Sequence, residues 1–450
     1  MTKQKYRDMQ MESILNTEQM REIQLAKVKT LVKRLYDHKP FWRGRMVKAG
    51  VKPEDIKTLD DFSRRIPVFD KAQRRQLSEA CEMDMVKVVD QVIGVPIENL
   101  VLMAATSGTS GEPTPYPMTA NDIEWLSEAL ARMLWRMGVG PGDRLIHAFG
   151  LSMFLAGVPY LQFFEKSGAC IFPVGAEGGT ERTLRYAKLF KANVLACTPS
   201  LAEHLIEKAP DILGYGVEKL GFKSLFCGGE PGAGIPEIRK KLETAYGAKL
   251  YDSGGGLGLS CDCPEYQGMH HVADDKILFE LTDPDTYEPI PFENGAKGMP
   301  TQTTLEGEGF LWFREVMGDI CQVFTDPCPC GATGFRYRIV GRADDMLKIK
   351  GVIVYPAAID GVIAGFIPKV TGEFRIVLDE PPPRVVPPLK LKIEYGENLN
   401  KEALLGLEEA IKGKMQGKLR FTPQIEWLQP MSLERSTHKT KFFEKTYKGK

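Results

Sequence analysis

Ala192-Asn193-Val194-Leu195-Ala196-Cys197-Thr198-Pro199-Ser200 decides the fold. Residues 192–197 form an apolar run of strand length, and residues 200–208 have helical periodicity with Ser200 as the expected N-cap. The same alternation continues on both sides. Upstream, residues 169–174 are apolar and 180–190 are helical in pattern; downstream, residues 224–227 enter a Gly-Gly turn, and 235–246 read as a helix closed by Gly247. This is the βαβ rhythm of a sheet covered by helices on both faces, so the expected class is α/β. No repeat of fixed period is visible.

Further out, the pattern changes. Up to about residue 90 the chain reads as helices with charged faces, broken by Pro40, Pro53 and Pro67. Near residue 340 the polar segment Gly341-Arg342-Ala343-Asp344-Asp345 precedes a smaller set of elements: 374–378, a proline-rich link over 381–388, 389–395, a helix over 402–415, and 421–428. The expectation is a large domain over 1–340, a hinge over 341–345 and a small α+β domain over 346–450. Two domains meeting at a short hinge favour a ligand between them.

Composition narrows the partners. Lys+Arg and Asp+Glu balance at 59 each, so no overall field draws the chain to nucleic acid or to an anionic membrane. The first 24 residues are charged and Met/Gln-rich without an apolar core, unlike a secretory signal, and the expected compartment is the cytoplasm. Residues 145–164 approach the length of a membrane span, but His147, Gly150, Ser152, Gly157, Pro159 and Gln162 interrupt them; a buried, pocket-lining segment fits better.

Two motifs carry chemistry on residue type alone. Ala105-Thr106-Ser107-Gly108-Thr109-Ser110-Gly111-Glu112-Pro113-Thr114 suits a phosphate chain: glycines let backbone N–H groups approach an anion, and the hydroxyls add donors. Glu112 stands where a Walker lysine would follow, which argues against a P-loop NTPase. The second motif is a set of thiols and imidazole, with Cys261, Cys263 and His270 within ten residues and Cys328-Pro329-Cys330-Gly331 downstream. Such ligands suit tetrahedral zinc. Cys81, Cys170, Cys197, Cys227 and Cys321 read as core residues.

Several segments together resemble the phenylacetate-CoA ligases of the adenylate-forming acyl-CoA synthetase superfamily. They are the loop above, Gly138-Val139-Gly140-Pro141-Gly142-Asp143-Arg144, Cys197-Thr198-Pro199-Ser200, Gly228-Gly229-Glu230-Pro231, Gly318-Asp319, Gly341-Arg342-Ala343-Asp344-Asp345, and Arg435-Ser436 with Lys439. Tyr36-Asp37-His38-Lys39-Pro40-Phe41-Trp42 resembles that subgroup's N-terminal helices. The resemblance covers nearly the whole chain. It implies the adenylate-forming fold and an AMP-forming ligase that joins a carboxylate to ATP, releases pyrophosphate and, after rotation of the small domain, passes the acyl group to coenzyme A.

By the same resemblance, Thr106, Ser107, Gly108, Thr109, Ser110, Gly111 and Thr114 hold phosphates, and Gly229, Glu230, Pro231, Tyr251 and Asp252 line the nucleotide site. Asp319 takes the ribose hydroxyls beside Arg342, Asp344 is the hinge, Gly351 lies on the CoA path, and Lys439 bridges carboxylate and α-phosphate. Zinc-bearing members of the subgroup imply Cys263, His270, Cys328 and Cys330 as structural ligands, with Cys261 or His271 as substitutes. Phe149, Met153 and Phe154 are candidates for an apolar acyl pocket suited to an aromatic acid. His147 and His204 read as packed or surface residues, since a carboxylate ionised at neutral pH needs no general base.

The implied partners are thus a small carboxylic acid, ATP with Mg2+, CoA and structural Zn2+; a homodimer is also allowed for. One segment departs from the family. Where a Tyr-Gly-x-Ser/Thr-Glu motif usually packs on adenine and holds magnesium, Gly254 and Gly258 replace the tyrosine and the glutamate. Either Glu230 or Asp252 supplies a carboxylate, or the glycines admit a bulkier ligand, or adenylation is altered. Transfer of AMP to another acceptor and a non-catalytic binding or assembly role are the alternatives to a ligase.

Overall fold

The computed structural model describes residues 17–106, 114–230, 232–254, 257–261, 263, 267–343, 345–349, 352–380, 382–397, 399–433 and 442–447. The chain enters through helices α1 (Glu18–His38), α2 (Pro40–Lys48), α3 (Leu59–Arg65), α4 (Lys71–Ala80) and α5 (Met85–Val92). Their charged faces look outward, while Val28, Leu31, Leu35, Trp42 and Phe62 pack with Phe313 of the large sheet's domain. Trp42 is fixed twice: its indole N–H donates to the Val92 carbonyl at 2.9 Å, and its ring meets Phe69 and Phe313 edge-on.

Strands β1 (Leu100–Thr106) and β2 (Thr114–Thr119) form an antiparallel hairpin. After α6 (Ala120–Arg136) the chain lays down β3 (Arg144–His147), α7 (Val158–Glu165), β4 (Cys170–Pro173), α8 (Gly179–Leu189), β5 (Val194–Cys197), α9 (Pro199–Leu213), β6 (Ser224–Gly228), α10 (Pro236–Tyr246) and β7 (Lys249–Gly254). Strands β4, β3, β5, β6 and β7 are neighbours in that order and all parallel. The βαβ reading therefore holds for this half of the sheet.

The other half is antiparallel, which the apolar rhythm did not disclose. Strands β8 (Gly258–Ser260), β9 (Met269–His271), β10 (Ile277–Thr282), β11 (Pro289–Ile290), β12 (Lys297–Thr304), β13 (Glu315–Val316), β14 (Asp319–Phe324) and β15 (Arg336–Arg342) extend the same sheet. Two local expectations also shift. Helix α9 is capped by the Thr198 hydroxyl, which accepts from Leu201 N at 3.3 Å, with Pro199 in the first turn; Ser200 is already inside. Residues 145–164 divide into β3, a connecting segment and α7, and no helix among the described residues is long and apolar enough to cross a membrane.

After Arg342 the chain leaves this sheet. Strands β16 (Leu347–Ile349) and β17 (Val352–Val354) pair with each other, α11 (Pro356–Ala364) follows, and β18 (Val370–Leu378), β19 (Arg384–Val385), β20 (Lys390–Tyr395), α12 (Lys401–Leu419), β21 (Gln424–Leu428) and β22 (Phe443–Lys445) complete a separate core. That core is built from Ile359, Val362, Ile363, Ile376, Ile393, Ile411 and Met415. Helix α11 also touches the larger body, because Ala364 packs into the cluster beneath α9 and α10.

Candidate active site

The phosphate-loop candidates sit at the tip of the first hairpin. Thr106 pairs directly with Thr114, so both ends of the loop are fixed; Ser107, Gly108, Thr109, Ser110 and Gly111 lie outside the described residues. Below the tip, Ala105 N–H donates to the Met153 carbonyl at 2.6 Å, and Ala105 bridges Phe154. At the hairpin's base, Asp122 is fully buried and its carboxylate accepts from the backbone N–H groups of Thr119, Glu308, Gly309 and Phe310 at 2.7–3.0 Å, and from the Trp125 indole at 3.2 Å. Sequence reading missed this residue; the Thr-x-x-Asp spacing of a capping box was the signal available.

The segment linking β3 to α7 carries the acyl-pocket candidates. Phe149 is buried against His147 and Tyr160, Phe154 is half-buried, and Met153 is 56% exposed. Met153 thus contributes its carbonyl to the hairpin rather than a side-chain wall. Leu151 N–H donates to Glu177 at 2.9 Å across a cavity of about 390 Å³ lined by Leu151, Ser152, Val174, Glu177, Gly178 and Arg182. His147 is fully buried, its Nε2 lies 2.8 Å from the Ala156 carbonyl, and burial pushes its pKa down to about 4, so it is a neutral packing residue.

Asp319 opens β14 and Arg342 closes β15, and the two are register partners. Their side chains pair at 3.0 Å, both partly exposed. Glu230 accepts from Ser200 N–H at 2.7 Å and so ties the Gly228-Gly229 turn, where Gly229 has φ +88°, to the start of α9. Tyr251, expected in the nucleotide site, is instead in the main core at 5% exposure, because successive residues of β7 face opposite ways; its neighbour Asp252 is the half-buried one. Pro231, Asp344, Gly351 and Lys439 lie outside the described residues.

The glycines that replace the family's Tyr and Glu differ in surroundings. Among the described residues, a Cβ at Gly254 would meet only Ile339 Cδ1, at 3.8 Å, whereas at Gly258 it would lie 2.7 Å from Cζ of Tyr337. The Tyr337 hydroxyl donates to the Gly254 carbonyl at 2.6 Å and the residue is fully buried. Among the described residues, position 254 is thus open and position 258 is filled by a phenol from β15.

The thiols converge around Cys328. Ligand atoms of Cys261, His270, Cys328 and Cys330 all lie within 4.8 Å of one another. Cys263, expected as a ligand, reaches Cys328 at 3.5 Å but is outside that mutually close set, and Cys261 stands in its place. His270 Nδ1 lies 3.1 Å from the Thr333 carbonyl, which fixes that nitrogen as the N–H and turns Nε2, 3.4 Å from Cys330 Sγ, toward the thiols as the ligand atom. His271 points to the opposite face of β9, paired with Asp274 at 2.7 Å and stacked on Phe335. Burial opposes ionisation of Cys328, yet hydrogen bonds from Cys330 N–H and neighbouring thiols bring its pKa below the ordinary thiol value. Of the cysteines read as core, Cys197, Cys227 and Cys321 are buried, while Cys81 is half-buried and Cys170 is exposed.

A large sheet domain, a glycine-rich hairpin at its edge and a small domain leaving after an Asp–Arg pair define an adenylate-forming enzyme. Residues 351–445 match the family model described as the AMP-binding enzyme C-terminal domain. The phenylacetate-coenzyme A ligase of Thermus thermophilus is 32% identical over 449 residues, covering 94% of this chain and 95% of that protein. Among solved structures, 2-hydroxyisobutyryl-CoA ligase in the postadenylation state with 2-HIB-AMP superposes with a TM-score of 0.88 at 28% identity, covering 99% of this chain and 93% of that one. The same ligase in the thioesterification state scores 0.68 at 29% identity, covering 97% and 92%. The chain belongs to the phenylacetate-CoA ligase family, and with it to the AMP-forming acid-CoA ligases that work through an acyl-adenylate.

Proposed function

We propose that this protein activates an aromatic or other organic carboxylate with ATP and passes the acyl group to CoA, using the site between the two domains. The observation that carries this reading is the near-complete superposition on a ligase holding its acyl-adenylate. The loop from Thr106 to Thr114 would grip the β- and γ-phosphates with backbone N–H groups and hydroxyls. Asp319 would accept from the ribose hydroxyls, held in place by Arg342. Gly229 and Glu230 would shape the nucleotide floor, Asp344 would be the hinge, and Gly351 would border the path of CoA. Lys439 would offset the repulsion between carboxylate and α-phosphate, two anions brought together in the transition state.

The residues also bear on the two metals. Position 258 offers no carboxylate, so Asp252, half-buried on β7, is the residue we assign to hold the Mg2+ that accompanies ATP. Cys261, His270, Cys328 and Cys330 fit a closed tetrahedral Zn2+ site with a structural role, supported by the fixed His270 tautomer. The nine cysteines are not spaced like a secreted disulfide scaffold, which suits a reducing compartment and so the cytoplasm.

Pyrophosphate exchange against a panel of aromatic and aliphatic acids tests the first half-reaction, and consumption of CoA tests the second. Exchange without CoA consumption would turn the reading toward an adenylyltransferase. Nucleotide binding without exchange for any acid would defeat the ligase reading.

A further inference from the structure

Helix α11 (Pro356–Ala364) is the element of the small domain that rests on the large one, and it is buried on two sides. Ile359, Val362 and Ile363 turn into the small domain's own core. Ala364 turns the other way, into the large domain's cluster with Ala233 and Ile238, and Gly361 is close enough to Ile235 that an added Cβ would lie 3.7 Å from its Cγ2. Asp360 is one helical turn before Ala364 and therefore on the docking face. It is only 9% exposed.

A buried carboxylate ordinarily has donors or a cation. Asp360 has neither a hydrogen bond nor an ion pair among the described residues. The groups acting on it are carboxylates: Glu203 on α9, Glu373 on β18, Glu230 after β6 and Glu237 on α10. Of the cations on the elements packed against α11, Lys240 of α10 and Lys414 and Lys418 of α12 are exposed to solvent, and the others are engaged elsewhere. Lys241 of α10 holds Glu203 at 2.7 Å, Arg239 lies 3.5 Å from Glu243, and Arg375 of β18 lies 3.6 Å from Glu373. On β15, Arg336 holds Asp326, Arg338 holds Gln322 and Arg342 holds Asp319; on α12, Lys412 holds Glu408. These carboxylates do not form a cation site, since the only metal-ligand group close enough among the described residues is the Cys/His cluster.

We propose that Asp360 is a positioning residue for adenylation: uncharged, it lets α11 seat on the large domain, and on ionising it releases the small domain toward the thioester-forming placement. The relevance of two placements comes from the related ligase, whose postadenylation form superposes at 0.88 and whose thioesterification form superposes at 0.68. Burial, then the surrounding carboxylates, raise the pKa of Asp360 well above the carboxylate range in the docked arrangement. The sign follows. Protonation supports docking fully below the ordinary carboxylate range, and that support is lost as pH climbs through the raised value. Because Lys439 belongs to the same small domain, docking controls its access to the carboxylate and the α-phosphate.

The proposal rests on the ligase reading for its kinetic readout but not for its structural one. Small-angle scattering of the full chain, without substrates, is measured from pH 6 to 9 for wild type, Asp360→Asn and Asp360→Ala. Wild type is expected to pass from the docked to a swung-out profile as pH rises, with the docking equilibrium changing by up to about tenfold per pH unit for one proton. Asp360→Asn, which keeps the shape of the uncharged carboxyl, is expected to stay docked throughout. In parallel, the ratio of pyrophosphate exchange to thioester formation from supplied acyl-adenylate is expected to fall with pH in wild type and to stay flat in Asp360→Asn, with Asp360→Ala equally flat. An Asn variant that follows the wild-type pH course, or that swings out at every pH, would overturn the proposal. Absence of exchange in wild type with the scattering shift intact would count against the ligase reading alone.

Discussion

Asp122 shows how a single side chain holds the reactive hairpin. It joins the base of the hairpin, where it accepts from Thr119 N–H and the Trp125 indole, to residues 308–310, more than 180 positions away, through three backbone N–H groups. Asp122→Asn keeps the shape but turns one oxygen into a donor facing donors. We expect it to lower unfolding free energy by about 3 kcal/mol, read as a shift of the denaturant midpoint without a change of slope. His147 makes a different claim. Its pKa is near 4 in the fold, so it stays neutral when folded but takes a proton when unfolded, and stability is lost as pH falls from about 6.5 toward 4. His147→Gln, whose amide can still donate to the Ala156 carbonyl, is expected to flatten the acid limb of the stability profile; an unchanged limb would assign that loss to other groups. The sequence already placed His147 in a segment read as buried, but the partners of both residues are set by tertiary packing, and neither the Asp122 network nor the contact of His147 with the Ala156 carbonyl follows from local pattern.

At the scale of elements, local rhythm was readable and long-range pairing was not. The parallel strands and helices between residues 169 and 247 appeared in the sequence because each strand is a short apolar run followed by a helical stripe. Strand β12 escaped because its buried positions include the polar residues Thr301, Gln302, Thr303 and Thr304; the three threonine hydroxyls are met by Thr282, by Arg314 N–H and by the Phe310 carbonyl rather than by solvent. The thiol cluster divides in the same way. Its membership of cysteines and His270 was legible, yet the choice of Cys261 over Cys263 depends on how β8 delivers the chain to β9. Metal analysis is expected to find about one zinc per chain. Cys261→Ser and Cys328→Ser should lose it together with thermal stability, while Cys263→Ser should retain it. Equal loss in all three would place Cys263 among the ligands, and metal-free wild type of full stability would end the zinc assignment. Strand β15 supplies one more case: Gly258→Glu, which restores the family residue, is expected to lower the melting temperature by several degrees rather than to improve ATP binding, because Tyr337 already fills that space.

For the whole molecule, the decisive property is that one site must serve two reactions. Adenylation brings a carboxylate against the α-phosphate and needs a cation between them; thioester formation needs that space cleared for a thiol. A lysine carried by the small domain can satisfy both demands only if the domain changes place, and the chain as folded superposes better on the postadenylation form than on the thioesterification form of the related ligase. Lys439→Ala should therefore separate the half-reactions. Pyrophosphate exchange is expected to fall by about 100-fold or more, as for loss of a charge-stabilising group in a transition state, while thioester formation from supplied acyl-adenylate changes by less than about threefold. The comparison must be made on both half-reactions of the same preparation, because a folding defect would depress them together. Equal loss in both, with the melting temperature unchanged, would show that Lys439 does not act selectively in adenylation and would move the cation to another residue, for which Arg342 beside Asp319 is a candidate.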